Sequence, residues 1–98
     1  MAFSKKSGIL PWTKENIDNV LDTYGIYILR RDTTIVGILY IGMASKGRLR
    51  ERILEHFNSN DIPGVNFFDW YETITENDAK VLENFWITKY APIYNKQT

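Results

Sequence analysis

Residues 25–42 read GIYILRRDTTIVGILYIG. Two apolar runs, at 25–29 and 35–41, flank the charged and polar tract 30–34. Ile, Val and Tyr dominate both runs and Gly42 closes the second, the composition of two strands joined in a β-hairpin. Each run is too short and too β-branched for a helix. If the paired residue numbers add to an odd sum, Tyr27 and Tyr40 share one face of the sheet. Directly opposed pairing, with a sum of 67, sets the two phenols side by side.

Outward from the hairpin, the chain reads as one domain over residues 1–98, large enough for a single core. A hydrophobic content of 44% with 24% charged residues excludes a disordered chain. The absence of cysteine excludes disulfides and thiolate metal sites and suits a reducing cytoplasm, the expected location. No apolar run approaches the ~20 residues of a membrane span, so no membrane partner is expected. Net charge is zero, yet residues 1–50 hold eight Lys/Arg against four Asp/Glu, and residues 51–98 hold four against eight. A chain that grips a phosphate backbone needs a local basic stripe rather than a basic total. Lys46, Arg48, Arg50 and Arg52 form one, although a solvated helix face accounts for such a run equally well.

In chain order, residues 1–8 read as a frayed start. Thr13 caps a helix over 14–23, in which Ile17, Val20 and Leu21 recur at helical spacing, and Trp12 is placed to cover one side of the core. After the hairpin, Leu49, Ile53 and Phe57 make an apolar stripe on a helix over 48–57. Arg48, Arg52 and His56 lie one step round the wheel, at its border with water. Residues 58–64 carry turn chemistry, and 65–74 make a third strand. Thr75 then caps a helix that runs to Tyr90 before Pro92 stops it, and 93–95 return as an extended tail. The order α-β-β-α-β-α describes a small α/β (α+β) domain with a three-stranded, mainly antiparallel sheet flanked by helices.

Glu83 is the most informative single residue. Its helical neighbours include Ala79, Trp86 and Ile87, and a carboxylate in an apolar arc is expensive unless paired or bound to a cation. It is either salt-bridged to an arginine or a metal ligand, since Mg²⁺ takes one or two protein carboxylates and keeps its waters. His56, the sole histidine, is either a structural hydrogen-bonding group or, with Arg52 one turn earlier, part of a phosphate site. The tyrosines are ordinary packing residues unless a cation lowers a phenol pKa that normally stands near 10.

Gly25-Ile26-Tyr27 and Tyr40-Ile41-Gly42, followed by Arg52-Ile53-Leu54-Glu55-His56, Glu83 and Asn95, resemble the ordered signature of the GIY-YIG nuclease superfamily. The stretch from Glu83 to Ile87 is similar to the glutamate helix of its phage homing endonucleases, and Pro92-Ile93-Tyr94-Asn95 to its Pro-x-x-Asn ending. The resemblance covers a core at 24–96 and leaves 1–23 as a helical extension. It implies a GIY-YIG nuclease fold and a metal-dependent DNA endonuclease cutting one strand per active site. Glu83 would hold one divalent cation, Mg²⁺ (or Mn²⁺), and Arg52 would stabilise charge on the phosphoryl oxygens. Tyr27 or Tyr40, helped by His56, would activate water, Asn95 would orient a neighbour, and Lys46, Arg48 and Arg50 would grip flanking DNA phosphates.

The pattern departs from some branches of the superfamily at Met43, where they carry a lysine, and the stretch from Gly42 to Arg52 is longer than in the homing enzymes. With no separate recognition domain in view, the expectation is weak specificity, a separate DNA-targeting partner or a reader of DNA structure, with a homodimer or two encounters needed to cut both strands. The competing expectation is a non-catalytic nucleic-acid-binding module on the same fold; a protein-interaction domain presenting Phe67, Phe68, Trp70 and Tyr71 ranks last.

Overall fold

The computed structural model describes residues 3–95. Residue 96, the expected end of the core, and the first two residues of the expected frayed start lie outside that range. The hairpin forms β3 (Gly25–Arg30) and β4 (Ile38–Ala44). Every residue of β3 is buried, because the strand runs through the sheet with a helical layer on each face. Burial on both sides is why its sequence is a continuous apolar run rather than an alternation.

The sheet has five strands, not three. β1 (Phe3–Lys6) and β2 (Leu10–Pro11) both pair with β5 (Phe67–Thr73), giving the antiparallel order β1-β5-β3-β4. The stretch read as a frayed start is therefore an edge strand. The sequence carries no strand alternation there because Ser4, Lys5 and Lys6 are exposed and only Phe3 reaches inward, edge-on to Tyr71 and Trp86. Lysines on an edge also discourage pairing with other chains. Residues 3–23 thus contribute two strands as well as a helix.

That helix, α1 (Lys14–Asp18), is shorter than expected. Thr13 caps it as anticipated, accepting from the Asn16 N–H at 3.2 Å, but the chain leaves the helix at Asn19. Ile17 and Val20 are buried whereas Leu21 is 40% exposed, so the apparent periodicity extended past the last turn that packs. Trp12 does cover the core, edge-on to both Phe57 and Phe68.

The hairpin register also differs from direct opposition of the phenols. Residues 35–37, expected in the second strand, form a 3-10 turn instead, and a register shift separates Leu29 from Arg30. Tyr27 consequently pairs with Gly42, and Leu29 with Tyr40. The sum is odd, so both phenols share a face, but diagonally, with ring centroids 6.2 Å apart. The two glycines are demanded by close approach. A Cβ on Gly25 would strike the Tyr71 carbonyl oxygen of β5, and one on Gly42 would strike the Tyr27 ring and hydroxyl.

On the Tyr27 face, α2 (Leu49–Ser59) packs with α1 over Leu29, Phe68 and Trp70, burying Leu49 and Ile53. On the opposite face, α3 (Glu76–Tyr90) lays Ala79, Leu82 and Trp86 over Ile26, Ile28 and Ile41. Thr75 caps α3, accepting from Asp78 N–H at 3.1 Å, and Ala91 ends it in the left-handed region before Pro92. The tail beyond is a 3-10 turn, Ile93–Asn95, rather than extended chain. An ion pair between Arg30 and Asp69, 2.8 Å apart, lies inside this framework. Burial pushes the Asp69 carboxyl up, and the Arg30 guanidinium pulls it part of the way back.

Gly42→Ala should force the Tyr27 ring from its seat and destabilise the fold by about 1–3 kcal/mol. Urea unfolding of the variant beside the unsubstituted protein measures the difference.

Candidate active site

α2 brings Arg52 and His56 to one side of the helix, four residues apart, because Leu49 and Ile53 anchor the adjoining stripe in the core. His56 is buried and held at both ring nitrogens. Its Nε2 lies 2.8 Å from the Tyr27 hydroxyl, and its Nδ1 lies 2.8 and 3.1 Å from the two Asp61 carboxylate oxygens. A carboxylate only accepts, so Nδ1 donates to Asp61. In the neutral imidazole, Nε2 is then the lone pair that accepts the Tyr27 O–H.

In the sequence, Asp61 carries only turn chemistry. Continued helix would carry a residue five positions on from His56 well away from its face. Here Asn60 takes a left-handed conformation (φ 52°, ψ 41°), and its N–H caps the His56 carbonyl at 2.9 Å. The reversal swings Asp61 back beneath the ring. Burial would raise the Asp61 pKa, but the hydrogen bond and charge of His56, with a further bond from Ser59, bring it below the usual carboxylate value. Arg52, His56 and Asp61 also border an open depression of about 560 Å³ with Glu55, Asn58 and Ser59.

Tyr40 completes the aromatic cluster, its ring centroid 5.2 Å from that of His56. The phenols are not equivalent. Tyr27 has no solvent exposure, and burial, with Tyr40 and Glu83 adding to it, drives its pKa far above the ordinary value against the opposing pull of Arg52. Tyr40 is half-buried and is raised by burial and then by Glu83, with Arg52 and a hydrogen bond to Tyr27 pulling down. Both phenols therefore sense the same guanidinium and the same carboxylate.

That carboxylate, Glu83, projects from α3 between buried Ala79 and Trp86. Burial raises its pKa; the Met43 backbone N–H and the charge of Lys80 offset this in part. Among the described residues it forms no ion pair, so the expected alternative of a salt bridge to an arginine is not what the fold builds. Arg52 instead contacts Glu55 at 2.6 Å. No group of three or more acidic or histidine side chains is gathered into a cation cage among the described residues.

Asn95 acts on the main chain. Its Oδ1 accepts from Ile41 N–H at 2.7 Å and its Nδ2 donates to Ile41 C=O at 2.8 Å, fastening the edge of β4 beside Tyr40. The basic stripe is less free than its sequence implies. Arg48 pairs with Glu51 at 2.7 Å and Glu55 at 3.1 Å, and Arg50 with Asp22 at 3.4 Å. Lys46 is exposed on the loop before α2, and its N–H donates to Glu76.

No protein-family model matches the sequence. In structure the chain resembles the GIY-YIG N-terminal endonuclease domain of UvrC from Thermotoga maritima, in two tyrosine-to-phenylalanine mutants bound to the catalytic divalent cation. The TM-scores are 0.70 and 0.67 at 24% and 22% identity, over 86% of this chain and 94% of each of those. The fold is thus the small α+β architecture of a GIY-YIG domain. In sequence the chain is 35% identical over 91 residues to UvrABC system protein C of Dictyoglomus thermophilum, and 28% identical over 85 residues to that of Fusobacterium nucleatum. These alignments take in 86% and 79% of this chain but 14% of each relative's length. The chain thus has the fold of a GIY-YIG domain, and its sequence is similar to one stretch of UvrABC system protein C.

Asn95→Ala would leave both Ile41 main-chain groups without their side-chain partner, and a loss of about 1–3 kcal/mol is expected. Faster amide exchange at Ile41, with a lower unfolding midpoint, is the measurement.

Proposed function

We propose that this chain is a metal-dependent DNA endonuclease that hydrolyses phosphodiester bonds, one strand per active site. The observation that carries the reading is the convergence of Tyr27, Tyr40, Arg52 and His56 on the sheet face that also senses the Glu83 carboxylate.

Glu83 fits a cation ligand on its own chemistry. It is half-buried, raised in pKa by that burial, and lacks an ion-pair partner among the described residues. One carboxylate with water and phosphate oxygens is an ordinary coordination set for Mg²⁺ or Mn²⁺. Bound there, the cation would supply positive charge to the scissile phosphate and lower the phenol pKa values that burial raises.

The side chains then divide the remaining work. Tyr40 has solvent exposure and Tyr27 has none, so Tyr40 is the phenol a water molecule can reach. Tyr40 takes the proton of the attacking water as its own passes to Tyr27 and that of Tyr27 to His56 Nε2. The water oxygen bonds to phosphorus, the opposite P–O bond breaks, and the leaving sugar oxygen takes a proton from solvent. Arg52 stabilises the charge growing on the phosphoryl oxygens, exchanging its contact with Glu55 for one with phosphate. Asn95 keeps β4, and with it Tyr40, in register.

DNA is the proposed partner. Lys46 is placed for flanking phosphates; Arg48 and Arg50 join it once DNA displaces their acidic neighbours, which makes binding salt-sensitive and sequence-blind. A single site nicks, and a double-strand break requires a homodimer or a second encounter. The non-catalytic binding module is the weaker reading, because binding phosphate gives no reason to bury Glu83 among apolar residues. Among the described residues no helix is long and apolar enough to cross a membrane.

The test is conversion of supercoiled plasmid to open circles with Mg²⁺ or Mn²⁺. Glu83→Gln should cut at least about 100-fold more slowly. Its thermal midpoint should hold or rise, since the change removes a half-buried charge that the Met43 N–H and Lys80 offset only in part. Equal cleavage by both proteins, or cleavage that survives EDTA, would overturn the reading.

A further inference from the structure

Asp61 has the geometry of a working part rather than of a turn residue. It reaches His56 Nδ1 with both carboxylate oxygens, at 2.8 and 3.1 Å, and is itself steadied by Ser59. Yet its side chain is 49% exposed, and a hydrogen bond at such a position adds little to stability. It also borders the same open depression as Arg52, where a negative charge repels a phosphate backbone. An acid there weakens DNA binding, and both of its carboxylate oxygens are turned to the imidazole.

We infer that Asp61 is the positioning residue that fixes the His56 tautomer, holding the proton on Nδ1 so that Nε2 stays open to the Tyr27 hydroxyl. The inference rests on the nuclease reading and extends it by one residue. Without Asp61, the neutral ring is free to carry its proton on Nε2. In that tautomer the ring donates toward Tyr27 instead of accepting, and the path from Tyr40 through Tyr27 ends without a base. With Asp61 in place, the carboxylate also stabilises the imidazolium that forms when Nε2 takes the proton. The Asn60 reversal is what makes the arrangement possible, since it places an acid five residues after the histidine under the ring.

Asp61→Ala separates this role from a structural one. Because the side chain is half exposed, the variant should fold with a melting curve close to that of the unsubstituted protein. In the plasmid assay kcat should fall on the order of 100-fold, while DNA affinity should hold or tighten as a repelling charge leaves. A second reading needs no turnover. His56 is the sole histidine, so the ring nitrogens of ¹⁵N-labelled protein give one unambiguous pair of signals. At alkaline pH they should report protonated Nδ1 in the unsubstituted protein and a shift toward protonated Nε2 in Asp61→Ala. A variant that nicks within twofold of normal, or an unchanged tautomer, would overturn the inference. If the unsubstituted protein fails to nick, the nuclease reading falls and the catalytic role of Asp61 with it; an Asp61-dependent tautomer would then remain as a property of the fold alone.

Discussion

The Tyr27 ring passes over Gly42, a residue with no Cβ to block it, and its hydroxyl lands on the Nε2 of His56. Much of the molecule follows from that seat. It fixes the register in which Tyr27 pairs with Gly42, and the register in turn places Tyr40 diagonally rather than directly opposite. It requires a helix over this face whose last turns present a polar ring to a buried phenol. A buried hydroxyl without a partner is costly, so the Tyr27–His56 bond ties α2 to the sheet by polar as well as apolar contacts. The core and the candidate site are continuous for this reason.

Electrostatics around the phenols is set by unequal burial. Both phenols sense the Arg52 guanidinium from their own face and the Glu83 carboxylate from α3, yet Tyr27 has no solvent exposure and Tyr40 is half-buried. The fully buried phenol suits an internal relay and the half-exposed one suits contact with water. Away from this cluster, acids answer the bases: Glu51 and Glu55 hold Arg48, and Asp22 holds Arg50. Part of the basic stripe is therefore answered by acids within hydrogen-bond reach. Any polyanion that binds must compete with those exposed pairs, which individually contribute little.

The legible features of the sequence were those encoded locally. Thr13 and Thr75 announced their helices through the hydroxyl each offers to an N–H three residues on. Leu49 and Ile53 announced a buried stripe, and Glu83 stood out because its helical neighbours are apolar. β1 was illegible because an edge strand with one inward residue carries no alternation, and its pairing with β5 spans most of the chain. The hairpin register was illegible because it depends on how the 3-10 turn at Ile35–Gly37 consumes residues. The partner of His56 was illegible too, since the distance from His56 to Asp61 is decided by one left-handed residue, Asn60.

The amino-acid order by itself determined the inventory: which side chains were at hand, which helices would form, and which residues had to be buried. Those properties depend on neighbours within about one helical turn or along one strand, where spacing is a sufficient guide. Tertiary structure alone decided the pairings: Tyr27 with Gly42 and His56, Asn95 with the Ile41 main chain, Asp61 with the imidazole, and acids with the basic stripe. Contacts between distant segments are set by strand register, by chain reversals and by the room left over a glycine, none of which a one-dimensional periodicity records.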